Sequence, residues 1–269
     1  MNNNFNLNRF LLLLKRQWLD FGNIYLGTLV VLIGILIAFY SYFLPSPKTT
    51  NFLDYEGNLD LRFRYGLFLF LGFFFITIVA GSYYSNLGQK SRAIIELMMP
   101  ASTLEKFLVG VWYTAIVTIV SYLLVFYVVD LGFVKYLNSN LDAFSVALYK
   151  KREIKPVHTM LNEVLSDANY RRYLRFFFFI PFMFTSIFLL GSVYFNRFHY
   201  IKTAMAVLLF TGVAGYIIFK AGGFLTKDMV RSGLETKEDV SLQWIFIITG
   251  LVTVVMWLIT YIRLKEKEV

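Results

Sequence analysis

The sequence predicts an all-α integral membrane protein with six transmembrane helices. Two observations carry that prediction. Of 269 residues, 58% are hydrophobic and only 16% charged, against about 25% charged in soluble domains, and the mean hydropathy is +0.61. Six apolar runs, each close to the ~20 residues that cross a bilayer, lie at about 24–44, 65–84, 107–129, 176–195, 203–219 and 242–262. The 29 Phe and 18 Tyr make much of that apolar surface aromatic.

Taken in order, residues 1–8 are Asn-rich and read as frayed. Residues 9–22 (RFLLLLKRQWLDFG) read as an interfacial amphipathic helix. Leu11, Leu14, Trp18 and Phe21 share one face, while Arg9, Arg16, Gln17 and Asp20 lie mostly away from it. It is either a collar gripping the membrane plane or a plain juxtamembrane anchor. Phe10–Leu14 is short for a signal-peptide core and is followed by Lys15 and Arg16 rather than small residues, so the first span is expected to be retained. That span ends at Pro45 and Pro47, and Gly27, Gly34 and Ala38 give it small packing surfaces. A polar loop over 45–64 leads to the Phe-rich second span, with Tyr83 and Tyr84 at an interface.

Residues 87–110 (LGQKSRAIIELMMPASTLEKFLVG) separate the second and third spans. Ser91 can cap a short helix carrying Arg92, Glu96 and the apolar Ile94, Ile95, Leu97, Met98 and Met99. Pro100 stops it. Ser102 and Glu105 have capping-box spacing and open a new helix that enters the membrane at Phe107. The stretch is either a well-capped connection or a docking element through which a soluble partner pushes on two membrane helices.

Asp130 and Gly132 are expected to close the third span. Residues 131–175 then form a small cap of two short helices separated around Pro156, with apolar positions at Phe144, Ala147, Leu148, Met160, Leu161, Val164 and Leu165. Pro181 allows a kink near the start of the fourth span. The turn NRFHYIK leads to a short fifth span, loosened by Gly222 and Gly223, and 220–240 is either a re-entrant excursion or an ordinary loop. Trp244 and Trp257 flank the sixth span, and RLKEKEV follows it.

Several chemistries have no residues to carry them. There is no Cys, so no disulfide, thiolate nucleophile or thiolate metal site, and the two His are far apart in sequence. No charge is expected near the middle of a span, since Asp130, Arg175 and Lys220 fall at ends, which argues against ion-coupled transport and intramembrane proteolysis. There is no Walker A pattern (GQKS at Gly88–Ser91 is a fragment only), no H-E-x-x-H and no G-x-S-x-G. The chain is therefore read as a non-enzyme without a cofactor of its own, and work must be driven by a partner. The net charge of +9 suits loops lying against anionic lipid and needs no nucleic acid. Six spans put both termini on one side. That side holds 11 Lys and Arg against 15 on the other, so the positive-inside count does not favour cytoplasmic termini, although the acidic residues, 5 against 12, lean that way.

Three stretches are recognisable. LMMPASTLEKFLVG resembles an "LP-A-S-x-x-E-K-F" pattern after the second span, with Met99 where Leu is common. FLLGSVYFNRFHYIKT at 188–203 resembles a turn between the fourth and fifth spans, and YIRLKEKEV a terminal motif. Together they are similar to permease subunits of type-2 ABC transporters, mostly exporters, in a branch common in Bacteroidetes. The resemblance covers the whole chain in topology, as a single permease domain over 1–269.

The resemblance implies an interfacial helix carrying Arg9, Lys15, Arg16 and Trp18 and a cytoplasmic coupling helix within 87–106. It implies an extracytoplasmic cap over 131–175 and a hairpin between the last two spans. Lys90, Arg92, Glu96 and Glu105 would be polar contacts to a separate ABC-type ATPase, which holds the ATP and Mg. Ile95, Met98 and Met99 would be the apolar plug, Pro100 and Ser102 the joint, and Lys106 part of the same coupling set. It further implies a second permease chain, identical or related, and a bacterial cytoplasmic (inner) membrane with both termini cytoplasmic. A Phe- and Tyr-lined pathway suits amphipathic molecules, peptides or drugs, and is equally what ordinary helix packing looks like. The alternative is a non-transporting scaffold or sensor that recruits a soluble partner through the same element.

Overall fold

The computed structural model describes residues 5–45, 59–88, 98, 100–141, 155–225 and 235–268. These are helical, with no strand among them, and six of the helical stretches are long and apolar enough to cross a membrane. The chain is thus a multi-pass membrane protein. The physical reason for an all-helical solution is that a bilayer offers no water to backbone N–H and C=O groups, so each spanning segment must satisfy its own.

Helix α1 spans Leu7–Tyr42 without interruption. Residues 9–22 are helical as expected, but they are not a separate helix. Gly22 does not end it, because a mid-helix glycine costs only about 1 kcal/mol, and the bare Gly22 backbone lies against the Trp18 ring. Nor is the chain frayed up to residue 8, since the Asn6 side chain accepts the Asn8 N–H (2.9 Å) and caps α1. Helix α2 (Phe63–Tyr83) ends in a 3₁₀ turn at Ser85–Gly88.

The third apolar run is α3 (Thr103–Val111), a π-helical turn (Trp112–Val117) and α4 (Thr118–Ser139) in continuous succession. Two hydroxyls serve carbonyls around the wide turn: Thr114 donates to Gly110 (2.8 Å) and Thr118 to Tyr113 (2.7 Å). Asp130 and Gly132 do not close this helix, which runs on to Ser139. Asp130 is neutralised rather than solvated, so it need not sit at an end.

Helices α5 (Met160–Ser166, capped by Thr159) and α6 (Ala168–Phe176) both follow Pro156, and the helix expected before it falls on residues outside those described. Phe144, Ala147 and Leu148 lie outside the described residues. Pro181 does not kink a helix: it occupies the first turn of α7 (Ile180–Tyr194), where its missing N–H has no partner to lose. A tight turn with Phe198 at φ 53° leads to α8 (His199–Leu225). Helix α8 continues through Gly222 and Gly223, so the chain is not loosened there. The last helix, α9, covers Glu235–Glu268, and only 226–234 of the expected excursion fall outside the described residues.

The chain groups into two compact units. The first comprises the chain up to Leu14, Ile76–Thr118 and Tyr173 onward. In it α7 is central, packing on α8, α9 and the π turn, while α9 also packs on α3. Its core joins Tyr83, Tyr84, Val109, Tyr113, Leu189, Val193 and Leu264. Gly191 lets α8 approach: a Cβ there would fall on the Thr203 side chain, with Cγ2 and Cβ at 2.7 and 2.8 Å.

The second unit comprises Lys15–Phe75 and Ile119–Arg172. Its core is aromatic. Tyr40 meets Phe63, Phe126 and Phe133 edge-on, at 4.7 Å for Phe133. Tyr122 packs over Gly72 and donates to the Phe68 carbonyl (2.6 Å), and the Tyr25 and Ser121 hydroxyls bond each other. Much of the Phe and Tyr content is therefore internal packing. Elsewhere large apolar side chains face outward, as along α8 at Leu208, Leu209, Phe210 and Val213, which suits a hydrocarbon surround.

Candidate functional site

The sequence points to 87–106, and the structure describes the C-terminal part of that element. Lys90, Arg92, Ile95, Glu96 and Met99 lie outside the described residues. Met98 is 78% exposed and Pro100 is exposed. Ser102 then caps α3 with the expected reciprocal box. Its Oγ accepts the Glu105 N–H (3.2 Å), and Glu105 Oε2 accepts the Ser102 N–H (3.0 Å).

Glu105 does more than close that box. It is 0% exposed. Its Oε1 accepts the backbone N–H of Asn6 (2.8 Å) and a guanidinium N–H of Arg9 (3.1 Å). One carboxylate thus ties the start of α1 to the start of α3. A charged acceptor shared among three donors is a strong arrangement, because each bond is charge-assisted and none of the donors is left orphaned. Glu105 is therefore not placed to touch a soluble protein directly, as a surface contact would be. Buried and engaged within the chain, it positions the start of α3.

The neighbouring groups reinforce the joint. Tyr84, after α2, donates to the Lys106 carbonyl (3.0 Å), and Tyr113 donates to the Leu14 carbonyl (2.8 Å). The Tyr84 hydroxyl sits where a side chain on Gly110 would stand, so a larger residue there would displace Tyr84. Phe10, Leu13, Leu14 and Leu87 pack around the same core. The structure thus brings together Arg9, Ser102, Glu105 and Lys106, which the sequence offered as members of two separate elements. Lys15, Arg16 and Trp18 lie further along α1. Lys15 and Trp18 are exposed, and Arg16 pairs with Asp20 one turn on (3.7 Å).

A second constellation lies in the other unit, and sequence reasoning missed it. Arg64 is 2% and Asp130 1% exposed, and they pair at 3.3 Å. Asp130 also accepts the Tyr40 hydroxyl (2.9 Å) and the Met160 N–H (2.7 Å). Arg64 donates to the His158 carbonyl (3.0 Å) and to Glu163 (2.8 Å), whose other oxygen takes the Tyr65 hydroxyl (2.7 Å). The network fastens the segment at 158–163 to α1, α2 and α4. Two signals for it were present: an arginine directly before an aromatic run, and an aspartate with apolar residues on both sides. Neither names its partner, which lies 66 residues away.

Neither constellation joins a nucleophile to a base, and among the described residues no cluster of His, Asp or Glu is placed to hold a metal ion. What the geometry does supply is mechanical. Two buried carboxylates each lock several helices into one arrangement. No protein-family model, curated protein or solved structure matches the chain.

Proposed function

We propose that the chain is the transmembrane permease subunit of an ATP-binding cassette exporter. In this reading it forms a substrate pathway with a second permease chain and is driven by a separate ATPase. The observation that carries the proposal is the Glu105 joint. The segment before α3 ends at a capped helix start that is hydrogen-bonded to the head of α1 and supported by Tyr84 after α2. A force delivered at the start of α3 would therefore reach the head of α1 and the end of α2 as well. Six apolar helices supply the membrane body such a subunit needs.

In this mechanism ATP and Mg are bound by the partner, and its closure draws the coupling segments of two permeases together. Met98 and Pro100, both exposed, are available to it; Ser102, Glu105 and Arg9 transmit the motion. The residues around 9–22 would lie at the cytoplasmic face of a bacterial inner membrane with the termini, and the segment fastened by Arg64 would belong to the extracytoplasmic side. The scaffold reading uses the same joint, because a rigid platform recruits a protein as well as it transmits force.

The test is isolation of the tagged full chain from its native membrane, with identification of bound protein and an ATPase assay. A stoichiometric ATPase, lost when 91–99 are replaced by a Gly/Ser segment, is the expected result. A preparation free of ATPase that retains another soluble protein through 91–99 would replace the transport reading with the scaffold.

A further inference from the structure

Helix α6, Ala168–Phe176, reads Ala-Asn-Tyr-Arg-Arg-Tyr-Leu-Arg-Phe and buries no residue. At about 100° per residue, Tyr170, Tyr173 and Leu174 fall on one side, and Arg171, Arg172 and Arg175 on the other. The helix contains no acid, and it opens a stretch, Ala168–Tyr194, that is long and apolar enough to cross a membrane. Tyr170 stacks on Tyr65 (6.0 Å between centroids, 26°), a contact on the side of the helix away from the arginines. The residue before the helix, Asp167, accepts the Asn169 N–H at 2.7 Å with one carboxylate oxygen.

Arg171 and Arg175 are exposed and one turn apart. Among the described residues neither pairs with a carboxylate, whereas Arg9, Arg16, Arg62, Arg64 and Arg263 each do. We infer that α6 is a docking surface for the headgroups of anionic phospholipids, with Arg171 and Arg175 as the phosphate ligands. A guanidinium matches phosphate oxygens two at a time. Side chains at i and i+4 stand about 5–6 Å apart at Cβ, close enough to share one phosphate or to hold two neighbouring lipids. Aromatic residues at Tyr170, Tyr173 and Phe176 are the types that settle at the headgroup level. An anionic headgroup is favoured over a zwitterionic one because no acid on α6 offsets the arginines, and juxtamembrane basic residues select net negative lipid. The inference rests on membrane insertion and not on the transport reading.

The test uses the full chain in detergent, titrated with phosphatidylglycerol or phosphatidylcholine and read by native mass spectrometry. The wild type is expected to prefer phosphatidylglycerol. Each arginine removed, in R171Q and R175Q, should lower that preference roughly fivefold, and R171K/R175K should keep most of it. Equal binding of the two lipids, or an undiminished preference in R171Q/R175Q, would overturn the proposal. So would displacement of phosphatidylglycerol by equimolar inorganic phosphate, which would make the site one for a soluble anion. If the Gln variant does not fold, wild-type salt dependence decides: the preference should fall between low and high salt, and a salt-independent preference would also overturn it.

Discussion

Removing the Glu105 carboxylate takes one acceptor from three donors together: the Asn6 and Ser102 amides and the Arg9 guanidinium. Glu105→Ala should therefore lower stability by about 2–4 kcal/mol, the range for losing a buried charged acceptor, read by thermal unfolding in detergent. A loss under about 0.5 kcal/mol, the size seen for a surface position, would contradict the joint. Arg64→Leu should cost about 3–5 kcal/mol because it leaves Asp130 charged and buried. The double variant R64L/D130L should cost less than the sum of the two single changes, since a buried ion pair replaced by apolar groups leaves no orphaned charge; strict additivity would show that the two do not act as a pair. These two sites also mark what a sequence can disclose. The Ser102–Glu105 box was legible because its partners are three residues apart. The Asn6 and Arg9 bonds were not, since an Asn-rich terminus has no periodicity and no local rule reaches across 99 residues. Asp130 reads as a helix end because a lone charge needs water, whereas Arg64 and Tyr40 supply the solvation instead.

At the scale of elements, small residues decide which helices can approach. Gly191→Ala would push a Cβ into Thr203, and overpacking of this kind costs about 1–3 kcal/mol. Thr203→Ala should recover part of that loss but not all, because the Thr203 Cβ itself stands 2.8 Å from the added atom. No initial loss, or no recovery at all in the double variant, would mean that α7 and α8 do not meet at these residues. The number of spans and their approximate centres were readable from apolar run length alone, as α2 and α7 show. Their ends were not. Gly22, Gly132, Gly222 and Gly223 looked like stops, yet α1, α4 and α8 pass through them. A glycine inside a helix costs only about 1 kcal/mol, so it does not by itself end one. Pro181 looked like a kink and is a start, because the three residues before α7 already leave the helix.

For the whole molecule, the absence of cysteine provides a direct test of threading. Single cysteines at Lys155, Lys202 and Lys265, all exposed, can be labelled with a membrane-impermeant maleimide. Six spans require K202C and K265C to react from one side and K155C from the other. Reaction of all three from the same side would remove one of the six helices from the membrane. The joint at Glu105 has a further consequence in the order of synthesis. The Asn6 amide leaves the ribosome 99 residues before the carboxylate that receives it. At about 5–20 residues per second, that is a wait of roughly 5–20 seconds. During that interval the head of the first helix lacks this carboxylate, and the joint closes only once the third helix has begun to emerge.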